Sequence, residues 1–276
     1  MNCINFDARF ERYAGEWMRR NAAAYKNNMD RMEAKIPEVY LQWLNTPMNW
    51  LDGRTPGAYF SQYDDAGMLT EWMLAYLANH VPVPDQLLER ITALGPAGEA
   101  ALLALLDNAQ APEEARMSAI TMLTEMESVA PMERYVQWIA GRRGQDDVAD
   151  MAAEALVSMG KPVVGPVLRA VHGATPAGVE TFADVLCNFP GDPAIYDLAL
   201  GMFHACPQKR ALYASLLGKL GDARAVEPLL AAMKDPALAY LDYIELRNAI
   251  EALGGEAPPA REFAGDPAYE SLRRME

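Results

Sequence analysis

The sequence predicts an all-α protein, an α-solenoid of about five to six helical pairs with an N-terminal helical cap. Three observations support this prediction: a repeated helix-ending signature, apolar residues at helical spacing, and a second apolar segment after each ending. The signature is clearest in three segments that superimpose on one another, 155–160, 216–221 and 249–254. A further copy at 186–191 lies between the first two. The repeat is therefore about thirty residues long, which is typical of stacked helical pairs.

Within each repeat, apolar residues recur at i, i+3, i+4 and i+7, the spacing that lines one face of a helix. The segment before the ending at 216–221 shows this spacing in Tyr213, Leu216, Leu217 and Leu220. Glycine follows the last apolar residue at four endings, where a helix commonly terminates in a left-handed residue. These glycines are Gly95, Gly160, Gly221 and Gly254. We therefore predict a helix that ends at each of them and a second helix after it.

Two segments of the repeats resemble a known family. Residues 220–230, LGDARAVEPLL, resemble the first helix of a HEAT-like repeat of the phycobilisome-lyase type. Residues 116–123, RMSAITML, resemble the second helix, with Arg116 at the family's arginine position and Arg210 in the same register of its own repeat. The resemblance covers roughly residues 84–255. It implies antiparallel helix pairs whose second helices line a concave surface, and it implies protein binding more often than catalysis.

The chain divides into three predicted parts: an aromatic-rich helical cap at 1–83, the solenoid at 84–255, and a tail at 256–276 with at most a short helix. Residues 1–80 hold 13 of the 24 aromatic residues and four of the five tryptophans. Helices are expected there at three places, with a loop rich in turn-forming residues before the last of them. The expected helices are 7–35, 37–44 and 67–80.

The aromatic residues of the cap region allow two interpretations. A terminal unit of a solenoid must cover the apolar face of the next repeat, and large aromatic side chains commonly fill such junctions. Alternatively, Trp50, Tyr59 and Phe60 form a binding pocket on the loop. We favour the cap and keep these three residues as a secondary candidate site.

The composition indicates a folded protein of the cytoplasm. No apolar run reaches the length of about 18 residues that spans a membrane, and the first residues show no charged-then-apolar leader. Neither a membrane span nor a secretory signal is therefore expected. The three cysteines, Cys3, Cys187 and Cys206, lack the spacing of a metal site and are expected to be reduced thiols.

The net charge of −14 is concentrated in the predicted repeats. Residues 1–83 contain 8 basic and 10 acidic residues, whereas residues 84–276 contain 16 and 28, so the two parts carry −2 and −12. Such a surface repels phosphate backbones, because nucleic-acid binders gain affinity from lysine and arginine. We therefore expect a basic or neutral protein or peptide as the partner and no binding of nucleic acid.

Motifs for catalysis are absent from the sequence: it contains no HExxH, glycine-rich phosphate loop, GxSxG or CxxC. Cys187, His204 and Cys206 come nearest to a ligand cluster, but a zinc site needs four converging ligands. We therefore predict no catalytic residue, no metal and no cofactor. The alternative function is a HEAT-like lyase-type enzyme that acts on a tetrapyrrole or another small molecule, which would need a deep pocket lined by aromatic residues.

The second helices of two adjacent repeats carry four carboxylates in equivalent positions. Residues one and five places after the family's arginine position lie four apart and share the face away from the core. These positions hold Asp150 and Glu154 in one repeat and Glu180 and Asp184 in the next. We therefore predict a noncatalytic scaffold that binds its partner through these residues in an acidic concave groove. Replacing all four with amides is expected to weaken binding and to leave the fold intact.

Overall fold

In a computed structural model, the described part of the chain comprises residues 2–26, 28–259 and 261–274. These residues form sixteen α-helices and no β-strand, so the prediction of an all-α protein is confirmed. The chain divides into two compact units, Met1–Ala130 and Pro131–Glu276. The boundary predicted after residue 83 falls inside the first unit.

The first unit joins the N-terminal helices and the first predicted repeat. Its helices are α1 (Phe6–Asn21), α2 (Met29–Glu33), α3 (Ile36–Leu44), α4 (Ala66–Ala78), α5 (Asp85–Ala93), α6 (Pro96–Asp107) and α7 (Glu113–Glu125). Helix α1 packs on α3, α4 contacts α5, α6 and α7, and α6 forms a hairpin with α7. Helix α4 buries Leu69, Met73 and Tyr76 completely, so it contributes to the core of the unit.

The segment 7–35, predicted as one helix, forms two helices. Helix α1 ends at Asn21, and α2 begins at Met29. Lys26 has a φ of 53°, a left-handed conformation that interrupts a right-handed helix. The Asn28 side chain then accepts a hydrogen bond from the backbone amide of Arg31 at 3.0 Å and caps α2. A left-handed residue and an N-cap therefore divide a segment whose composition alone favours a single helix.

An aromatic cluster forms much of the core of the first unit. The centroid of the Phe6 ring lies 5.7–6.2 Å from the centroids of four other rings. The cluster comprises Phe6, Phe10, Tyr40, Trp43, Trp50, Tyr59, Phe60, Tyr63 and Trp72. Most of these contacts are edge-to-face or tilted, which are the favourable arrangements for aromatic pairs.

Four helical hairpins make up most of the second unit. Its helices are α8 (Met132–Gly141), α9 (Asp147–Met159), α10 (Val164–Val171), α11 (Pro176–Leu186), α12 (Pro193–Ala205), α13 (Arg210–Leu220), α14 (Val226–Ala232), α15 (Tyr240–Ala252) and α16 (Pro267–Arg273). The hairpins pair α8 with α9, α10 with α11, α12 with α13, and α14 with α15. Contacts between hairpins include α8 with α10, α9 with α11 and α13 with α15.

Two glycines allow helices of this unit to approach closely. A Cβ added to Gly178 of α11 would lie 2.4 Å from the carbonyl oxygen of Ile139 in α8. A Cβ added to Gly218 of α13 would lie 3.1 Å from the Cα of Ala249 in α15. Because interiors are close-packed, neither position has room for a side chain without movement of a neighbouring helix.

The C-terminal segment packs on α15. Phe263 is buried, and its ring centroid lies 5.4 Å from that of Tyr240 and 5.1 Å from that of Tyr243. The Tyr243 hydroxyl donates to the carbonyl of Pro259 at 2.8 Å, and the Arg261 guanidinium lies over the Phe263 ring. The segment, which includes the short helix α16, therefore covers part of the last hairpin with aromatic side chains.

Candidate functional site

Helices α9, α11 and α13 of the second unit border an open cavity of about 600 Å³. All four carboxylates that the repeat register indicates, Asp150, Glu154, Glu180 and Asp184, line this cavity. The volume lies within the range typical of binding pockets, about 300–1,000 Å³. The structure therefore brings the four residues together around one space.

Helix caps define where the two helices that carry these carboxylates, α9 and α11, begin. Asp146 caps α9 by accepting a hydrogen bond from the amide of Ala149 at 3.0 Å. Thr175 caps α11 by accepting one from the amide of Gly178 at 3.1 Å. Each cap sets the first turn of its helix, and residues four apart then lie on the same face. Since α9 also packs on α11, the two carboxylate pairs line the same cavity.

Asp150 is paired with a largely buried arginine. The Arg142 side chain is 10% exposed, and its Nη1 donates to Asp150 Oδ1 at 2.6 Å and to Thr181 Oγ1 at 2.9 Å. Its Nε and Nη2 donate to the carbonyl of Gly144 at 3.1 and 3.0 Å. The guanidinium thus connects α9 with α11. Because the Arg142 side chain is largely buried, its charge needs the Asp150 carboxylate as a counter-charge.

Two lysines bind the carboxylates of α11. The Nζ of Lys209, the residue before α13, pairs with the carboxylate of Glu180. The Nζ of Lys219, near the end of α13, donates to Asp184 Oδ1 at 2.8 Å. Helix α13 is therefore bridged to α11 near both of its ends. Because the groups are partly exposed, each pair is expected to stabilise the fold only slightly.

Three of the four predicted carboxylates are thus neutralised by the protein's own cations, and among the described residues only Glu154 of the four has no ion-pair partner. Four carboxylates and three cations leave one net negative charge, so the site is less acidic than the spacing of the four carboxylates alone indicates.

The repeat pattern in the sequence did not identify the three cations of the site. It relates equivalent positions of the second helices, and Arg142, Lys209 and Lys219 do not occupy those positions. Lys209 lies directly before α13, the next second helix, and Lys219 lies on it. Their position on that helix is the one signal in the sequence that indicates them.

The remaining lining of the cavity is largely apolar. It includes Ala153, Val157, Val185 and Leu212. Leu212 is 42% exposed, so a large apolar side chain at this site remains partly in contact with solvent. A carboxylate without a cation among the described residues, in the same cavity as exposed apolar surface, suits a segment that carries both cationic and apolar side chains.

The secondary candidates lie within the aromatic cluster of the first unit. Phe60 is 1% exposed, and Trp50 and Tyr59 are half-buried. The guanidinium carbon of Arg9 lies 5.0 Å from the centroid of the Trp50 ring, and the Tyr59 and Trp72 centroids are 6.2 Å apart. A partner could reach Phe60 only after the cluster had opened.

Residues that could bind a metal do not converge in the part of the chain that the structure describes: no group of three His, Cys, Asp or Glu side chains there could hold an ion. Cys187 is buried at the end of α11, and Cys206 follows α12 in a partly exposed position. Across the same residues, no helix has both the length and the apolar character needed to cross a membrane.

Comparison with known proteins identifies no relative of this chain. No protein-family model, no curated protein and no solved structure matches it. The HEAT-like resemblance therefore rests on the two sequence segments that carry it.

The Cys187 thiol is expected to be unreactive in the folded protein. Burial raises its pKa to about 12, the nearby Lys219 lowers it and Asp184 raises it, so the thiol stays protonated at neutral pH. In a variant with Cys3→Ser and Cys206→Ser, reaction with Ellman's reagent should be slow in buffer and rapid after unfolding. Immediate reaction of the folded variant at neutral pH would contradict this prediction.

Proposed function

We propose that this chain is a noncatalytic scaffold that binds a protein or peptide segment in the cavity bordered by α9, α11 and α13. One observation carries the proposal: the Glu154 carboxylate, which no described cation neutralises, lies in the same open cavity as the exposed Leu212. A segment that carries both cationic and apolar side chains complements both groups. The net charge of −14 favours the approach of such a segment, and the cytoplasm is the compartment that the composition favours.

We also propose that the hairpins of the second unit stack as HEAT-like repeats, as part of the predicted solenoid. The contacts of α8 with α10, α9 with α11 and α13 with α15 support this arrangement. In a solenoid each repeat packs on its sequence neighbours, and a site can form from equivalent helices of adjacent repeats. The carboxylate pairs of α9 and α11 have this relationship.

The cavity lining supports binding over the lyase-type alternative. A tetrapyrrole site is expected to contain aromatic side chains that stack on the ring system. Among the described residues that line this cavity, none is aromatic. The apolar groups are instead aliphatic, which suits the side chains of a peptide.

The proposal can be tested with three short synthetic peptides that alternate lysine with leucine, glutamate with leucine, and lysine with serine. We expect only the lysine–leucine peptide to shift the methyl NMR signals of Val157 and Leu212, because it alone offers both kinds of group. Equal shifts with the glutamate–leucine peptide, or no shifts with any peptide, would overturn the proposal.

Glu154→Gln is expected to lower the affinity for the lysine–leucine peptide about two- to fivefold, as loss of one exposed ion pair predicts. It should also flatten the salt dependence of binding, because added salt screens exposed charges. Titration calorimetry at two salt concentrations measures both effects. Glu227→Gln is the matched control, since this exposed residue of α14 carries the same charge and does not line the cavity. Equal losses in the two variants would exclude a specific role for Glu154.

The ion pairs also change the outcome expected for replacement of all four carboxylates. Asp150→Asn would leave the Arg142 guanidinium without its counter-charge at a largely buried position, which destabilises the fold. Reduced binding by a quadruple amide variant would therefore mix loss of contacts with loss of structure. Glu154→Gln avoids this effect because no described cation depends on Glu154.

A further inference from the structure

We infer that Lys219 competes with the partner for the Asp184 carboxylate. In the free protein its ammonium group binds this carboxylate, and a cationic side chain of the bound segment displaces it. The inference rests on the proposed function, because it concerns the regulation of the same cavity. It adds an exchange step, in which one ammonium group replaces another at a carboxylate of α11.

The geometry places Lys219 at the site as an internal ligand. Its Nζ donates to Asp184 Oδ1 at 2.8 Å and lies 3.4 Å from the carbonyl oxygen of the same residue. Both side chains line the cavity. The carboxylate therefore already binds an ammonium group of the kind that a lysine of the partner would present.

Among the three cations that pair with the site, Lys219 is best placed to leave. The Arg142 guanidinium is largely buried and donates to three residues, so its displacement would break several hydrogen bonds. Lys209 pairs with Glu180, whose side chain is only 26% exposed. The Lys219 and Asp184 side chains are 39% and 59% exposed, so water can solvate both groups while the pair opens.

The exchange costs little because exposed ion pairs are weak. A pair of this kind contributes little in water, and the released lysine keeps its flexible stem and regains hydration. While the pair is closed, however, it removes one of the negative charges that would attract a cationic partner. Lys219 is therefore expected to reduce the affinity of the cavity for such a partner.

The experiment compares the affinities of variants for the lysine–leucine peptide. Lys219→Met retains an apolar stem and removes the charge, so it should raise the affinity about two- to fivefold. Lys234→Met is the matched control, because this exposed lysine has no ion pair among the described residues and does not line the cavity. Lys219→Arg, which keeps the charge, should bind like the wild type. Adding Asp184→Asn to Lys219→Met should abolish the gain.

Each outcome separates the inference from the proposed function. Equal affinities of Lys219→Met and Lys234→Met would refute the competition and leave the cavity as a binding site. Weaker binding by Lys219→Met would also refute it, since the lysine would then assist the partner. If neither the wild type nor any variant bound the peptide, both the inference and the proposed function would fail. Thermal unfolding of Lys219→Arg and Lys219→Met identifies any change in affinity that comes from loss of structure.

Discussion

Leu217→Ala is expected to lower the free energy of unfolding of the second unit by about 2–5 kcal/mol. Leu217 lies in α13 and has no exposed surface. Its truncation removes buried apolar area and leaves a cavity that the packing of α13 against α12 and α15 can fill only partly. Urea unfolding followed by far-UV circular dichroism measures the loss.

Leu212→Ala, in the same helix, is the matched control for this prediction. Leu212 is partly exposed, so the same chemical change should cost clearly less there. A similar loss for both variants would mean that α13 does not bury the face that contains Leu217. The register of the repeat core would then be wrong, and with it the assignment of the opposite face of α13 to the cavity.

Gly178→Ala is expected to destabilise the second unit by about 1–3 kcal/mol, although alanine favours helix formation more than glycine does. The added methyl group would lie 2.4 Å from the carbonyl oxygen of Ile139, far inside van der Waals contact. Helix α11 would therefore have to move away from α8. Because α11 carries Glu180 and Asp184, affinity for the lysine–leucine peptide should fall as well.

Gly201→Ala in α12 provides the comparison with opposite sign. A Cβ at Gly201 would meet no atom within 4 Å, so only the helix preference of alanine acts there. We expect this variant to be more stable by about 0.5–1 kcal/mol. Thermal unfolding of the two glycine variants separates close helix packing from intrinsic propensity. If Gly178→Ala were also stabilising, the close approach of α8 and α11 would be disproved.

The sequence predicted the ends of those helices that have a glycine directly after the last apolar residue. Helix α9 ends at Met159 before Gly160, and α13 ends at Leu220 before Gly221, both with positive φ. Glycine tolerates this conformation because it lacks a Cβ, so the spacing of glycine after apolar residues predicted these ends. The break between α1 and α2 had no such signal, since a lysine adopts the left-handed conformation there.

The candidate site could be predicted only in part for a related reason. The i, i+4 spacing on α9 and α11 indicated four carboxylates on equivalent faces, and spacing within one helix is a local property. The two lysines that bind the carboxylates of α11 come from far along the chain: Lys219 is 35 residues from Asp184, and Lys209 is 29 residues from Glu180. Helix periodicity contains no information on such pairs, which form only when the hairpins pack.

By itself, the sequence determined that the chain is helical and that Asp150 and Glu154, like Glu180 and Asp184, occupy one face of a helix. Both results follow from the 3.6-residue period, which acts along a single segment. Only the tertiary structure decided that Glu154 has no cation partner among the described residues, that the exposed Leu212 lines the same cavity, and that Lys219 binds Asp184. These properties depend on distances between helices, and such distances are set by side-chain packing and by close contacts such as Gly178 on Ile139.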